Sequence, residues 1–168
     1  MRYAKIKKND IANGPGIAVS FFVQGCHRHC MNCFNPETWD FDGGEEFTQN
    51  TMNEILDALV ENNVPRHLAI LGGEPLCEEN LFLTRLVIST VKEHYPNTPI
   101  YLWTGYTFNE LEHRDNPHLK DILGHVDVLV DGPYIDSERD ITLPMRGSRN
   151  QRIINLREGV LRRASEQD

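Results

Sequence analysis

Cys26, Cys30 and Cys33 stand in the spacing C-x3-C-x2-C, directly after an apolar run at residues 17–23. The anionic sulfur is the form of cysteine that binds metal well. Three such ligands in one short loop can hold one face of an iron–sulfur cube and leave its fourth iron without a protein ligand. An open coordination position separates a reactive metal centre from a closed structural one. The triplet therefore points to chemistry. A second signal is Gly72-Gly73-Glu74-Pro75. Its glycines carry no side chains, so backbone can approach a ligand closely, and Glu74 can accept a hydrogen bond from an ammonium group. Cys77 lies far from the triplet, which argues against a disulfide framework. It reads as a small, half-buried residue without a ligand role.

These residues must be positioned by regular elements. Residues 17–23, 67–71, 100–103, 126–130 and 152–156 read as strands. Met52, Ile55, Leu56, Leu59 and Val60 recur at helical spacing, with Thr51-x-x-Glu54 as a capping box. A second helix is expected over residues 80–95, closed by Pro96 and Pro99. A shorter helical region is marked by Thr107-x-x-Glu110 and Asn116-Pro117, with Gly124 as its end. Alternating strands and helices predict an α/β fold, an open or partial β/α barrel with a mainly parallel sheet of about five or six strands. The cysteine loop, Gly72–Pro75, Thr104-Gly105 and Asp131-Gly132-Pro133 each follow a strand. Parallel strands present their carboxyl ends on one edge, so four signals converge on one mouth.

The chain of 168 residues is expected to form a single domain over residues 1–156, followed by a polar tail over 157–168. Seventeen basic and 25 acidic residues leave a net charge of −8, which argues against nonspecific nucleic-acid binding. No apolar run approaches the roughly 20 residues that span a bilayer, and the polar N-terminus is no signal peptide. A cytoplasmic protein with reduced thiols is the expectation, with no membrane partner.

The triplet followed by Gly-Gly-Glu-Pro resembles the radical S-adenosylmethionine superfamily. Asn13-Gly14-Pro15-Gly16, Asn35-Pro36-Glu37-Thr38-Trp39, Asp131-Gly132-Pro133-Tyr134 and Arg146-Gly147-Ser148-x-Asn150-Gln151-Arg152 narrow the likeness. Together they resemble the family that activates anaerobic ribonucleoside-triphosphate reductases. The resemblance implies one 4Fe–4S cluster held by Cys26, Cys30 and Cys33, whose free iron chelates the methionine moiety of S-adenosyl-L-methionine. It implies that Gly72, Gly73 and Glu74 meet the amino group, and that backbone near Asn32 and Phe34 meets the adenine. Thr104 and Asp131 would contact the methionine or ribose. The implied reaction is reductive cleavage to methionine and a 5′-deoxyadenosyl radical, which generates a glycyl radical on the reductase. Flavodoxin or ferredoxin would supply the electron, since the task calls for a low cluster potential. A homodimer is left open.

Other readings stand beside this one. Within the superfamily the chain could activate another glycyl-radical enzyme such as pyruvate formate-lyase, although no cysteine lies between Cys33 and Gly72 to suggest a cysteine-rich insertion. From another class, it could be a noncatalytic iron–sulfur carrier or a zinc-binding module completed by Cys77, His27 or His29. Trp39 and Trp103 read as packing residues. Arg146, Gly147 and Ser148 read as a segment near the cofactor or the partner.

Overall fold

The computed structural model describes residues 1–157; the rest of the expected tail lies outside the described residues. Among these, the elements run β1 (Arg2–Asp10), β2 (Ala18–Val23), β3 (Glu45–Glu46), α1 (Gln49–Val60), β4 (His67–Gly72), α2 (Glu78–His94), β5 (Ile100–Trp103), α3 (Phe108–Glu112), α4 (Pro117–His125), β6 (Val128–Asp131) and β7 (Arg152–Asn155). They build one open seven-stranded sheet in the order β3-β1-β2-β4-β5-β6-β7. The four inner strands β2, β4, β5 and β6 are parallel; β1 and β7 flank them antiparallel, and β3 pairs antiparallel with the outer edge of β1.

The sheet has more strands than the five or six expected. β1 and β3 are the additions, and β1 reads as polar because Lys5 and Lys7 occupy it. Their ammonium groups lie 4.7 and 5.4 Å from the centroid of the Phe22 ring, so long stems cover apolar surface while the charge stays wet. The inner strands are legible for the opposite reason. β2 is buried along its whole length, as a strand covered on both faces must be.

All four helices place their buried residues in one core with Val19, Phe21, Val23, Leu68, Ile70, Ile100 and Leu102. The opposite face of the sheet carries a smaller layer of Ala18, Phe22, Ala69 and Leu71, with Trp103 packed against it. Helices therefore cover one face and leave the other available. Local signals set the helix ends. Thr107 and Glu110 form the expected capping box of α3, and Asn116 caps α4 with Pro117 in its first turn. At α1 the box is Thr48 with Thr51, not Thr51 with Glu54. Thr51 acts as the reciprocating residue, one turn earlier than the capping-box pattern suggested. α2 begins at Glu78, and α4 runs through Gly124 to His125, so that glycine does not end it.

The hairpin loop between β1 and β2 is tied down at both ends. Asp10 accepts hydrogen bonds from Ala12 N (2.9 Å), Asn13 Nδ2 (2.6 Å) and Ser20 Oγ (2.7 Å). Burial disfavours its charged form, and these bonds outweigh that, holding the carboxyl below its usual range. Under the same loop, buried His67 sets Nε2 2.8 Å from the Asn13 carbonyl oxygen. Gly14 has φ +104°, and a Cβ there would sit 2.6 Å from that nitrogen, so only glycine fits.

Burial depresses the pKa of His67 below 6.5, against the opposing pull of Asn13 and Asp10. Above about 6.5 the imidazole is neutral in both folded and unfolded chains, and its packing contributes fully. As pH falls below that value the unfolded chain takes the proton first, so stability drops. Urea unfolding at about pH 7.5 and about pH 5.5 should show a smaller acid loss in His67→Gln than in the parent chain. Glu74, whose raised carboxyl gives the opposite slope above 4.5, is common to both and cancels.

Candidate active site

A cleft of about 480 Å³ opens at the carboxyl ends of the inner strands and spreads over the helix-free face of the sheet. Cys26, Cys30 and Cys33 line it, together with Phe34, Gly72, Gly73, Glu74 and Thr104. Eight of the ten residues expected at the site are thus brought to one wall. Lys7, Phe22, Leu71 and Trp103 add a floor from the strands themselves, which strand-end signals could not reveal.

The cysteine loop leaves β2 at Gln24 and is wound tightly, with His29 at φ 47° and Asn32 at φ 57°. Backbone bonds from Gly25 N to Thr38 O (2.7 Å) and from Cys26 N to Trp39 O (3.1 Å) seat it on the Pro36–Thr38 turn. The three thiols are partly exposed. Burial pushes the Cys26 thiol above its ordinary range, and the Glu74 charge adds to this, against the pull of the Arg28 and His29 backbone N–H groups. Ligation must therefore displace a proton from this sulfur. Among the described residues no three His, Cys, Asp or Glu side chains are gathered closely enough to hold a metal ion. His27 faces away, 2.8 Å from Glu79, and His29 stacks on Trp39.

Two observations fit an iron–sulfur cluster here. Three thiols share one wall, and two buried N–H donors on cleft residues, Arg28 Nε and Trp39 Nε1, have no acceptor. Buried donors are almost always paired, and a cluster's sulfurs accept hydrogen bonds.

Cys77 is not part of that set. It is 1% exposed, its Sγ lies 3.2 Å from the Glu74 carbonyl oxygen, and burial with the nearby Glu74 charge pushes its thiol up to about 12. It is more deeply buried than the half-buried residue anticipated. Cys77→Ala should keep the full iron content of the parent and cost about 1 kcal/mol in unfolding free energy, as a small core truncation. Iron analysis and urea melts check both.

Gly72 and Gly73 answer first to packing. Gly72 has φ +110°, and a Cβ there would lie 2.8 Å from Val23 N and O. A Cβ on Gly73 would collide with the Gly25 carbonyl. The paired glycines thus let β4 close against the root of the cysteine loop, where Gly73 N and Glu74 N bond Val23 O and Gly25 O at 3.0 and 2.8 Å. Glu74 is 3% exposed and already has three donors: Gly105 N (2.7 Å), Leu76 N (2.9 Å) and Thr104 Oγ1 (2.7 Å). Burial still dominates and raises its carboxyl. The side chain cross-links the ends of β4 and β5, so its backbone and the neighbouring glycines are what the cleft presents.

Asn32 and Asp131 sit elsewhere. Asn32 is exposed and donates to Asp136 Oδ2 at 3.0 Å. Asp131 is 1% exposed and pairs with Arg152 while accepting from Phe108 N at 2.7 Å; it is not among the residues lining the cleft. The 132–151 segment forms the remaining wall, and the Arg-Gly-Ser-x-Asn-Gln stretch explains its shape. Gln151 Oε1 accepts from Gly147 N (2.9 Å) and Ser148 N (3.1 Å), and its Nε2 donates to Gly132 O (3.1 Å). Buried Ser148 accepts from Ile135 N at 3.2 Å. Phe34 packs on Tyr134, ring centroids 4.9 Å apart, and a Cβ on Gly147 would strike Phe34. Trp103, beyond packing, donates Nε1–H to Met145 O at 2.8 Å. Arg146 lines the cleft. Sequence reasoning missed Arg28, Lys7 and Tyr134; only the neighbouring motif letters hinted at the last.

The family described as "4Fe-4S single cluster domain" matches residues 12–154, which places the chain among proteins built around one iron–sulfur cluster. Similar proteins named "Anaerobic ribonucleoside-triphosphate reductase-activating protein" occur in Vibrio cholerae, 36% identical over 90% of this chain and 96% of that one. Enterobacteria phage T4 has one 36% identical over 95% and 97%, and Escherichia coli K12 one 32% identical over 94% and 100%. The chain belongs to this family of anaerobic ribonucleoside-triphosphate reductase-activating proteins. Among the described residues no helix is long and apolar enough to cross a membrane.

Proposed function

We propose that this chain activates an anaerobic ribonucleoside-triphosphate reductase by radical S-adenosylmethionine chemistry. The observation that carries the reading is the cleft that joins Cys26, Cys30 and Cys33 to the Gly72–Glu74 turn; the relatives' names supply the partner. When bound and reduced, the cluster supplies the electron that cleaves S-adenosylmethionine to methionine and a 5′-deoxyadenosyl radical, which takes a hydrogen atom from a glycine of the reductase. Cys26, Cys30 and Cys33 hold the cluster as thiolates. Gly72 and Gly73 offer backbone carbonyl oxygens to the amino end of the methionine moiety, while the Gly73 and Glu74 N–H groups stay bonded to Val23 O and Gly25 O. Glu74 keeps that turn rigid through its bonds to the β5 end, and Thr104 is placed beside it by the same carboxylate. Phe34, backed by Tyr134 and Gly147, gives an apolar wall on which an adenine can rest.

No side chain needs to act as a general base, because the hydrogen leaves as an atom. The cleft is open, which suits a large protein substrate that seals the site itself and keeps the radical dry. The electron comes from flavodoxin or ferredoxin, and the setting is the cytoplasm, where thiols remain reduced. The test is anaerobic reconstitution with iron and sulfide, then reduction in the presence of S-adenosylmethionine and the organism's own reductase. Formation of 5′-deoxyadenosine together with a glycyl-radical signal in electron paramagnetic resonance is the expected result. A chain that takes up zinc but no iron, or a loaded protein that forms neither product with the reductase present, would overturn the reading.

A further inference from the structure

We infer that Arg28 and Trp39 set the reduction potential of the cluster by donating N–H hydrogen bonds to its sulfurs. The inference rests on the three cysteines holding that cluster. Arg28 lies between the ligands Cys26 and Cys30, and Trp39 O accepts the Cys26 backbone N–H at 3.1 Å. Both side chains line the cleft with the thiols, and both carry a buried N–H without an acceptor. Buried N–H groups are almost always paired, and two orphaned donors beside the same three thiols are accounted for together by one acceptor-rich group between them.

Each donor is held in place by contacts that do not involve the cluster. The Arg28 guanidinium sits 4.5 Å from the Tyr106 ring centroid, whose ring also meets Arg114 at 5.0 Å. Its Nη2 lies 3.4 Å from Glu110 Oε2, and a Cβ on Gly105 would come 2.8 Å from Nε. Glycine at 105 therefore makes the groove in which Arg28 lies. The Trp39 indole is stacked on His29, centroids 4.4 Å apart and 11° between planes. Rigid donors need little reorganisation when charge changes.

The direction follows from charge. Three thiolates around a doubly positive 4Fe–4S core leave one net negative charge, and reduction adds another. Donors to sulfur, and a guanidinium above all, stabilise the more negative state and raise the potential. Removing either donor lowers it.

The experiment is a redox titration of the reconstituted holoenzyme followed by electron paramagnetic resonance, for the parent, Arg28→Gln, Arg28→Lys and Trp39→Phe. Trp39→Phe keeps an aromatic ring to stack on His29 and removes the N–H donor together with part of the indole. At a fixed potential the reduced-to-oxidised ratio should fall roughly tenfold in Arg28→Gln, equivalent to about 59 mV for one electron. It should fall by a smaller factor in Trp39→Phe and recover part of the way in Arg28→Lys. A purely structural role would change cluster content and leave the potential of the remaining clusters alone. Unchanged potentials in Arg28→Gln and Trp39→Phe, at parental iron content, would overturn the inference and leave the proposed function standing. A parent chain that holds no cluster would overturn both.

Discussion

Alanine at Cys26, Cys30 or Cys33, introduced singly, is expected to abolish stable cluster binding and to reduce 5′-deoxyadenosine formation by more than about a hundredfold. The magnitude follows from coordination. A cube held at three corners has no spare protein ligand, so losing one thiolate leaves two irons open to water and oxidant. No fourth sulfur can step in, because Cys77 is buried behind the Glu74 turn and its thiol is pushed up to about 12. The fold itself should survive. All three cysteines are partly exposed in a loop, outside the core that the helices cover, so urea midpoints of the unloaded variants should match the parent. Iron and sulfide analysis, visible absorption and product chromatography read the effect. Parental iron content in any one of the three variants would remove that cysteine from the ligand set.

How far the sequence revealed this site depends on where each residue's role originates. The triplet and Gly72-Gly73 are legible because backbone geometry demands them. Three thiols need one loop, and a strand end pressed against Gly25 needs glycine. The inner strands are legible because burial on both faces leaves nothing polar to confuse the pattern. β1 hides behind its lysines, and β3 is only two residues long. The strand-built floor of the cleft, Phe22, Leu71 and Trp103, also reads as ordinary strand sequence. Which face lies bare is decided by where α1, α2 and α4 pack, a tertiary fact. Nothing in the sequence singles out Arg28, and Trp39 reads there as a packing residue, since an N–H without an acceptor becomes visible only once every neighbour is in place.

The same distinction separates Glu74 from a ligand. An acidic residue after paired glycines suggests a carboxylate that greets an ammonium group. Its oxygens are instead taken by the Gly105 and Leu76 backbone and the Thr104 hydroxyl. The carboxylate thus aligns the ends of β4 and β5.

Asp131 poses that question most sharply, and Asp131→Ala is expected to cost about 3 kcal/mol of folding free energy. The carboxylate is 1% exposed, ties the end of β6 to Arg152 on β7 with bonds to Arg152 Nε (2.9 Å) and Nη2, and accepts the Phe108 N–H at the start of α3. Truncation strands a backbone donor and leaves a guanidinium without its partner. The estimate stays at the lower end for a buried pair, because Arg152 keeps 27% of its side chain exposed and water can compensate it. Asp131→Asn retains an acceptor for Phe108 and loses the charge, so it should cost about 1–2 kcal/mol. Both effects appear in urea melts of the unloaded chain, with no ligand present. If Asp131 instead served the ligand directly, Asp131→Asn would keep parental stability and weaken S-adenosylmethionine binding to the loaded protein. The buried pair with Arg152 predicts the reverse: a lower urea midpoint, with binding by the folded, loaded fraction close to that of the parent.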